Sequence, residues 1–268
     1  MAKFYLLGNK TPSQMFGCVI KTEKNTIVID GGCLGDERQL VDLLSMISNN
    51  HVDAWFFTHP HSDHIGCFYG VRTNFKQVKI DKVYCCFPDL DLLSKYGSRN
   101  TFEVALWKEI ETWPDNFKVC KFSRGETFIF DDVKLSVLRV FNPKIIIDFV
   151  NNSSSVFRIE NNKNSFLILG DLSVEGGEEL IKTCSIELLR AEYMQMAHHG
   201  QNGVTKEFYE YIKPKKCIWA TPKWLWDNDV GGGFDTGPYK TVQTRKLMDD
   251  LGVKEHFIEK DGLQIIDF

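Results

Sequence analysis

The chain has little of what would commit it to a membrane, to secretion or to a nucleic-acid surface. Its apolar runs, such as Ile145-Ile146-Ile147, fall far short of the roughly 20 residues a membrane span needs, and Met1-Ala2-Lys3-Phe4 leads into no signal-peptide core. The expected location is therefore the cytoplasm, with no membrane partner. Lys and Arg total 32 against 36 Asp and Glu, a formal net charge of -4, so the basic excess of an extended nucleic-acid surface is missing. Eight cysteines contain no C-x-x-C pair and are read as reduced, mostly buried thiols. No internal repeat, low-complexity tract or Pro/Ser-rich linker divides the 268 residues, and a hydrophobic content of 43% is enough for a large core. One domain spanning 1–268 is expected. Nothing in the composition points to a partner protein or an oligomeric state.

What is present is an alternation of short β-branched or aromatic runs with amphipathic stretches. Strands are expected at Phe4 to Gly8, Gly17 to Lys21 and Thr26 to Ile29, the last stopping at Asp30-Gly31-Gly32. Leu40, Leu43, Leu44 and Ile47 recur at helical spacing and predict a helix from Glu37 to Ile47. Val52 to Phe57 reads as a strand buried on both faces. Further strands are expected near residues 82–85, 117–121, 127–130, 134–141, 154–159, 165–169, 193–196 and 216–220, and helices at 100–112, 174–184, 206–212 and 239–251. This gives an α/β chain with two strand-rich halves, each with helices alongside.

Of seven histidines, five fall in two places: His59, His61 and His64 in one run, His198 and His199 in another. Imidazole is the commonest metal-binding side chain, and zinc takes nitrogen at about 2.0–2.1 Å and carboxylate oxygen at similar range. His59 and His61, two apart in extended chain, can face one ion, while Asp63 and His64 beyond the bend can reach a second. Asp63 could alternatively, or also, cap a helix beginning near His64. Two more apolar runs end in metal-competent groups: Phe166 to Leu169 stops at Gly170-Asp171, and Tyr193 to Ala197 stops at His198-His199-Gly200. Ligands at the ends of buried strands are held rigidly, which suits them to catalysis.

Asp30 after a strand, the H-x-H-x-D-H run at 59–64, Leu169-Gly170-Asp171 and His198-His199-Gly200 resemble, in order and spacing, the metallo-β-lactamase-fold hydrolases. Asn151-Asn152-Ser153-Ser154-Ser155-Val156 before the Gly-Asp motif is similar to the branch typified by the soluble hydrolase domain of DNA-uptake competence proteins. Phosphorylcholine esterases of the same fold look similar too. The resemblance implies a four-layer αββα sandwich, two mixed sheets with helices outside, and two divalent ions at one edge of the sheets, zinc first and manganese or iron as alternatives. It implies His59 and His61 on the first ion, Asp63, His64 and one of the paired histidines, preferably His199, on the second, with Asp171 bridging. Asp30 would orient a ligating imidazole through a hydrogen bond.

The chain departs from the commonest family pattern in having no histidine between 65 and 197. Asn152, or failing it Asn151, stands where a third imidazole would fall, and an amide oxygen is the harder donor. Asn152 could instead simply start the following strand. The implied chemistry is hydrolysis by water activated between two ions about 3.5–4 Å apart, with Asp63 in the catalytic set and His198 passing a proton to the leaving oxygen. A phosphodiester, whether of a nucleotide, nucleic-acid or phosphocholine type, is the leading substrate class. A lactone, thioester or lactam is the alternative, and a non-catalytic metal-binding interaction module the rival class. Trp224, Trp226, Tyr239 and Lys240, around the run Gly231-Gly232-Gly233, are the candidate substrate wall, with Lys223 and Arg245 as further phosphate contacts.

Overall fold

A computed structural model describes residues 2–97, 104, 105, 108 and 119–268. The helix expected over 100–112 lies outside the described residues apart from those three positions. Two seven-stranded sheets dominate. The first runs β16 (Gln264–Asp267), β1 (Lys3–Leu6), β2 (Gly17–Lys21), β3 (Thr26–Asp30), β5 (Ala54–Phe56), β7 (Val83–Tyr84) and β8 (Val119–Cys120). The second runs β15 (Glu255–Ile258), β14 (Lys216–Trp219), β13 (Tyr193–Gln195), β12 (Ser165–Ile168), β11 (Val156–Glu160), β10 (Val133–Arg139) and β9 (Thr127–Phe130). A small parallel pair, β4 (His51–Val52) with β6 (Lys79–Ile80), stands apart.

Alternating side chains explain the layering. In β1, Phe4 and Leu6 face the opposite sheet, meeting Phe166, Ile168 and Phe157, while Tyr5 and Leu7 turn outward to Val19, Val28 and the helix Glu37–Ser48. On the far side Leu167, Met194, Cys217 and Trp219 pack against the helices Val174–Thr183, Lys206–Ile212 and Thr241–Asp250. The result is the αββα sandwich, with one core between the sheets and one under each helical layer. Among the described residues no helix is long and apolar enough to cross a membrane, and all eight cysteines are free thiols.

Both sheets combine antiparallel hairpins with a parallel half. In the first, β3, β5, β7 and β8 run parallel; in the second, β12 through β15 do. The C-terminal ends of β3, β5, β12 and β13 therefore gather at one edge, where the loops of such strands conventionally carry ligands. The Ser155 amide donates to the Thr58 carbonyl across 2.8 Å and fastens the two sheets together there.

Candidate metal centre

The first ligand run is locked before any ion is considered. Asp30 ends β3 in the left-handed region (φ 57) with no exposed surface, a conformation that costs an ordinary L-residue about 1–2 kcal/mol and that Asp tolerates best. This turns its carboxylate onto the next loop. It accepts from the Thr58 amide and the Thr58 hydroxyl, each at 2.7 Å, and lies 2.7 Å from His64 Nδ1. With Nδ1 held there, His64 Nε2 is turned into the cluster. His199 is fixed likewise by its Nδ1, 2.7 Å from the Ala220 carbonyl. Asp171 is set by its amide on Ser154 Oγ at 3.0 Å and by Gly170 in the left-handed region, where a Cβ would meet Ser154 Oγ and Thr58 Cβ at 2.9 Å. Gly200 (φ 78) passes over Trp219, leaving 2.5 Å for a Cβ, so the Gly-Asp and His-His-Gly motifs each need their glycine for fit.

Two clusters result, sharing one residue. Asp63, His64, Asp171 and His199 offer ligand atoms all within 4.8 Å of one another, as do His59, His61 and Asp171. His64 Nε2 is 3.1 Å from Asp171 Oδ1, and His199 Nε2 is 3.2 Å from Asp63 Oδ2 and 3.3 Å from Asp171 Oδ2. His59 Nε2 lies 3.6 Å from Asp171 Oδ2 and 2.9 Å from His61 Nδ1. Two ligands at about 2.1 Å from a tetrahedral ion stand about 3.4 Å apart, which matches this spacing. His64 Nε2, His199 Nε2 and both Asp171 oxygens are buried without a well-formed hydrogen bond. Buried polar atoms that converge yet do not pair fit a divalent ion between them.

Charge in the metal-free cluster follows from the same geometry. Burial works against the imidazolium of His64, but Asp171 and Asp30 outweigh it and hold His64 well above the ordinary imidazole value. Burial likewise opposes His199, which Asp171 and Asp63 push up to about 10. Asp171 is held well below the usual carboxylate range, its burial outweighed by His199, His64 and His59. Burial and the neighbouring His64 push His59 well below. At pH 7, loading the cluster must therefore displace protons from His64 and His199. Calorimetric titration in buffers of different ionisation heat should show about two protons released per chain, and release of none would contradict this charge distribution. Both folded values lie above that of an unfolded imidazole. The metal-free fold should thus keep this stabilisation below a pH of about 6.5 and lose it as pH rises through the folded values, with a falling melting temperature.

Several expectations need correction. Asn152 is not aimed at the first cluster as a ligand: its Oδ1 accepts from the Ser173 and Gly176 amides at 3.2 and 3.0 Å, and its Nδ2 donates to Ile147 O and Glu175. Every lone pair is spent on bracing the start of the helix Val174–Thr183. Asn151 donates to Asp148 at 3.0 Å while its buried Oδ1 has no partner. Asp63 does not cap a helix at His64; the helix is Ser62–Asn74 with His61 at its N-cap, and the Asp63 carboxylate accepts from Gln14 at 3.1 Å. His198, with φ 50, stands off from the clusters, its Nε2 3.9 Å from Asp171 Oδ2.

The substrate wall divides. Trp226 packs edge-on against Trp219 and under the Arg245 guanidinium, 4.2 Å from its ring, so both belong to the packing around β14. Lys223 is paired with Asp227. Trp224 and Tyr239 do meet, with ring centroids 5.6 Å apart, and Trp224 Nε1 donates to Pro12 O at 3.1 Å. Lys240 is exposed and lines a groove of about 710 Å³ with Gln201, Val174 and Leu247. Thr58, Ser154, Gln14, Gln201 and the wholly buried Glu259 were not singled out from the sequence. Of these, Thr58 carried a signal in its place directly before the histidine run, and Ser154 in its place within the run from Asn151 to Val156.

Two mixed sheets with paired imidazole-carboxylate clusters at their shared edge define the metallo-β-lactamase fold, and the comparisons agree. Residues 18–80, which hold Asp30 and the 59–64 run, match the family model described as Metallo-beta-lactamase superfamily. ComE operon protein 3 of Bacillus subtilis (strain 168) is 26% identical over 188 residues, covering 70% of this chain. The match spans 22% of that relative's own length. The metallo-beta-lactamase fold protein YhfI from Bacillus subtilis superposes with a TM-score of 0.60 at 12% identity over the whole of both chains. Unliganded yeast PDE1 gives 0.55 at 11% identity, covering 96% of this chain and 97% of that one. A diphosphatase from the PhnP family gives 0.53 at 14%, covering 100% and 98%. The chain is thus similar to the metallo-β-lactamase superfamily over residues 18–80 and shares the fold of these structures along its length.

Proposed function

We propose that this chain is a metal-dependent phosphodiesterase with a two-ion centre. The observation that carries the reading is that Asp171 is shared by two clusters, and that both its oxygens, His64 Nε2 and His199 Nε2 converge there, buried without a well-formed hydrogen bond. His59, His61 and Asp171 would hold one ion, and Asp63, His64, Asp171 and His199 the other; two imidazoles at each position favour zinc, and the extra carboxylate of the second is the harder donor that suits manganese or iron. Bound there, the ions supply an activated water and neutralise charge developing on the phosphoryl oxygens. The protein's part is orientation. Asp30 and Ala220 O fix the two imidazoles of the second position, and Thr58 Oγ1, 3.1 Å from His59 Nδ1, does the same for the first. His198, beside the clusters but outside them, is the residue left to pass a proton to the leaving oxygen. Support for the phosphodiester comes from the fold-level likeness to a diphosphatase and to PDE1.

Metal analysis followed by turnover of bis(p-nitrophenyl) phosphate tests the reading. Loaded protein should hydrolyse the diester, and His61→Ala should lower the rate by about 10²-fold through loss of the first ion. His198→Ala should steepen the dependence on leaving-group pKa, and an unchanged slope would remove His198 from proton transfer. A loaded protein that cleaves lactones, thioesters or lactams but no phosphate ester would replace the substrate class. One inert to all of them would leave a metal-binding interaction module.

A further inference from the structure

The ligands of the second position come from opposite sheets, Asp63 after β5 and His199 after β13. Each neighbour has a private brace: His64 has Asp30, His199 has the Ala220 carbonyl, and Asp171 has Ser154 and Gly170. Asp63, at the first turn of the helix Ser62–Asn74, has its carbonyl on the Phe16 amide at 3.1 Å, and among the described residues the side chain that braces its carboxylate is Gln14, whose Nε2 donates to Asp63 Oδ2 at 3.1 Å. Gln14 is itself held. The Gln201 side chain donates its Nε2 to Gln14 Oε1 at 2.8 Å, and Gln201 follows His199 by two residues. The 3.2 Å approach of His199 Nε2 to Asp63 Oδ2 closes a ring of side chains through Asp63, Gln14, Gln201 and the His199 turn.

We infer that Gln14 is the positioning residue of the second metal position, and that Gln201 sets the direction in which it acts. The primary amide has two faces, one donor and one acceptor. Because Gln201 occupies the acceptor, only the NH₂ can meet Asp63, and it holds Oδ2, the oxygen that faces His199 Nε2 at 3.2 Å, leaving that oxygen's second lone pair for the ion. A neutral donor does this without cancelling the charge the ion needs, as a lysine in its place would. The loop that carries Gln14 also carries Pro12, whose carbonyl receives Trp224 Nε1. The same strap thus ties the aromatic rim to the ligand. The inference rests on the two-cluster metal reading, not on the phosphodiester.

The test uses the full chain, stripped with a chelator and titrated with zinc by calorimetry and chelator competition. A His61→Ala background isolates the second position, and a His199→Ala background isolates the first. Gln14→Met keeps the side chain's length and removes both hydrogen bonds. It should raise the dissociation constant of the second position about 10–100-fold, leave the first within about twofold, and leave the metal-free melting temperature unchanged. Gln201→Met, which frees the amide to turn over, should give a smaller rise, and the double variant should match Gln14→Met alone because both act through one contact. Equal weakening of both positions, an additive double variant, or unchanged affinity in Gln14→Met would overturn the assignment. If the unmodified chain binds no zinc, the metal reading itself fails, and that outcome is distinct from unchanged affinity in a loaded protein.

Discussion

Asp171→Asn is expected to empty both metal positions together and to lower diester turnover by about 10³-fold or more, the loss of roughly 4 kcal/mol of transition-state stabilisation. Among the described residues no other side chain belongs to both clusters. Its Oδ1 faces His64 at 3.1 Å, and its Oδ2 faces His199, His59 and His198 at 3.3, 3.6 and 3.9 Å. Asparagine keeps the shape and the backbone bond to Ser154, so the fold should survive; what goes is one negative charge and one lone-pair-bearing oxygen. Asp171 is the leading counter-charge to both His64 and His199. The variant should therefore also release fewer protons on exposure to zinc at pH 7 than the unmodified chain. His61→Ala supplies the contrast, since it should strip one ion only. Elemental analysis and diester assays on the two variants side by side decide the matter. An Asp171→Asn protein with two ions and a rate within tenfold of the original would dissolve the shared-bridge reading.

The sequence revealed those elements whose pattern repeats locally. The strands Gly17–Lys21 and Thr127–Phe130 and the helix Lys206–Ile212 stand where periodicity placed them, and the helix from Glu37 continues one residue beyond its expected end. The helix Ser62–Asn74 was legible only at its start, because it is buried on nearly every side: His64, Ile65, Gly66, Cys67, Phe68, Gly70 and Val71 all lie inside, so no polar stripe marks its period. Strands β15 and β16 were missed for the opposite reason. As edge strands they keep exposed or half-exposed residues, Glu255 and Ile265 among them, and read as polar chain.

At the site, residues with metal-competent side chains announce themselves by type and clustering, and the sheet edge gathers them. Braces do not. Gln14 and Gln201 stand 187 residues apart and meet only because two loops from opposite sheets close over Asp63. The error over Asn152 has the same origin: its place in the chain fits a ligand, while helix capping, visible only once the helix Val174–Thr183 is seated above it, takes its oxygen. The tryptophans divide by environment, which composition does not show. Trp226 has Trp219 to pack on, and Trp224 has a polar loop to join.

Asp30 distinguishes holding the fold from tuning the metal, because two substitutions there separate the two. In Asp30→Ala the Thr58 amide and His64 Nδ1 lose their acceptor in a site with no access to water, at roughly 1–3 kcal/mol each, while the Thr58 hydroxyl can turn to His59 Nδ1 at 3.1 Å. Alanine also tolerates the left-handed backbone poorly, adding about 1 kcal/mol. A total of about 3–7 kcal/mol is a large share of the roughly 5–15 kcal/mol that keeps a domain folded, so this variant should unfold at markedly lower denaturant with or without zinc. Asp30→Asn should remain folded, since asparagine accepts the left-handed conformation and its oxygen can still receive the Thr58 amide. Its NH₂ then faces His64 Nδ1, which must become the acceptor. The imidazole proton moves to Nε2, the atom that has to face the ion, and zinc affinity at the second position should fall about 10–100-fold with little change in metal-free stability. Denaturant midpoints set against zinc dissociation constants for the two variants test this directly. Equal stability losses, or an asparagine variant that binds zinc as tightly as the unmodified chain, would mean that Asp30 acts on the loop alone and not on the tautomer of His64.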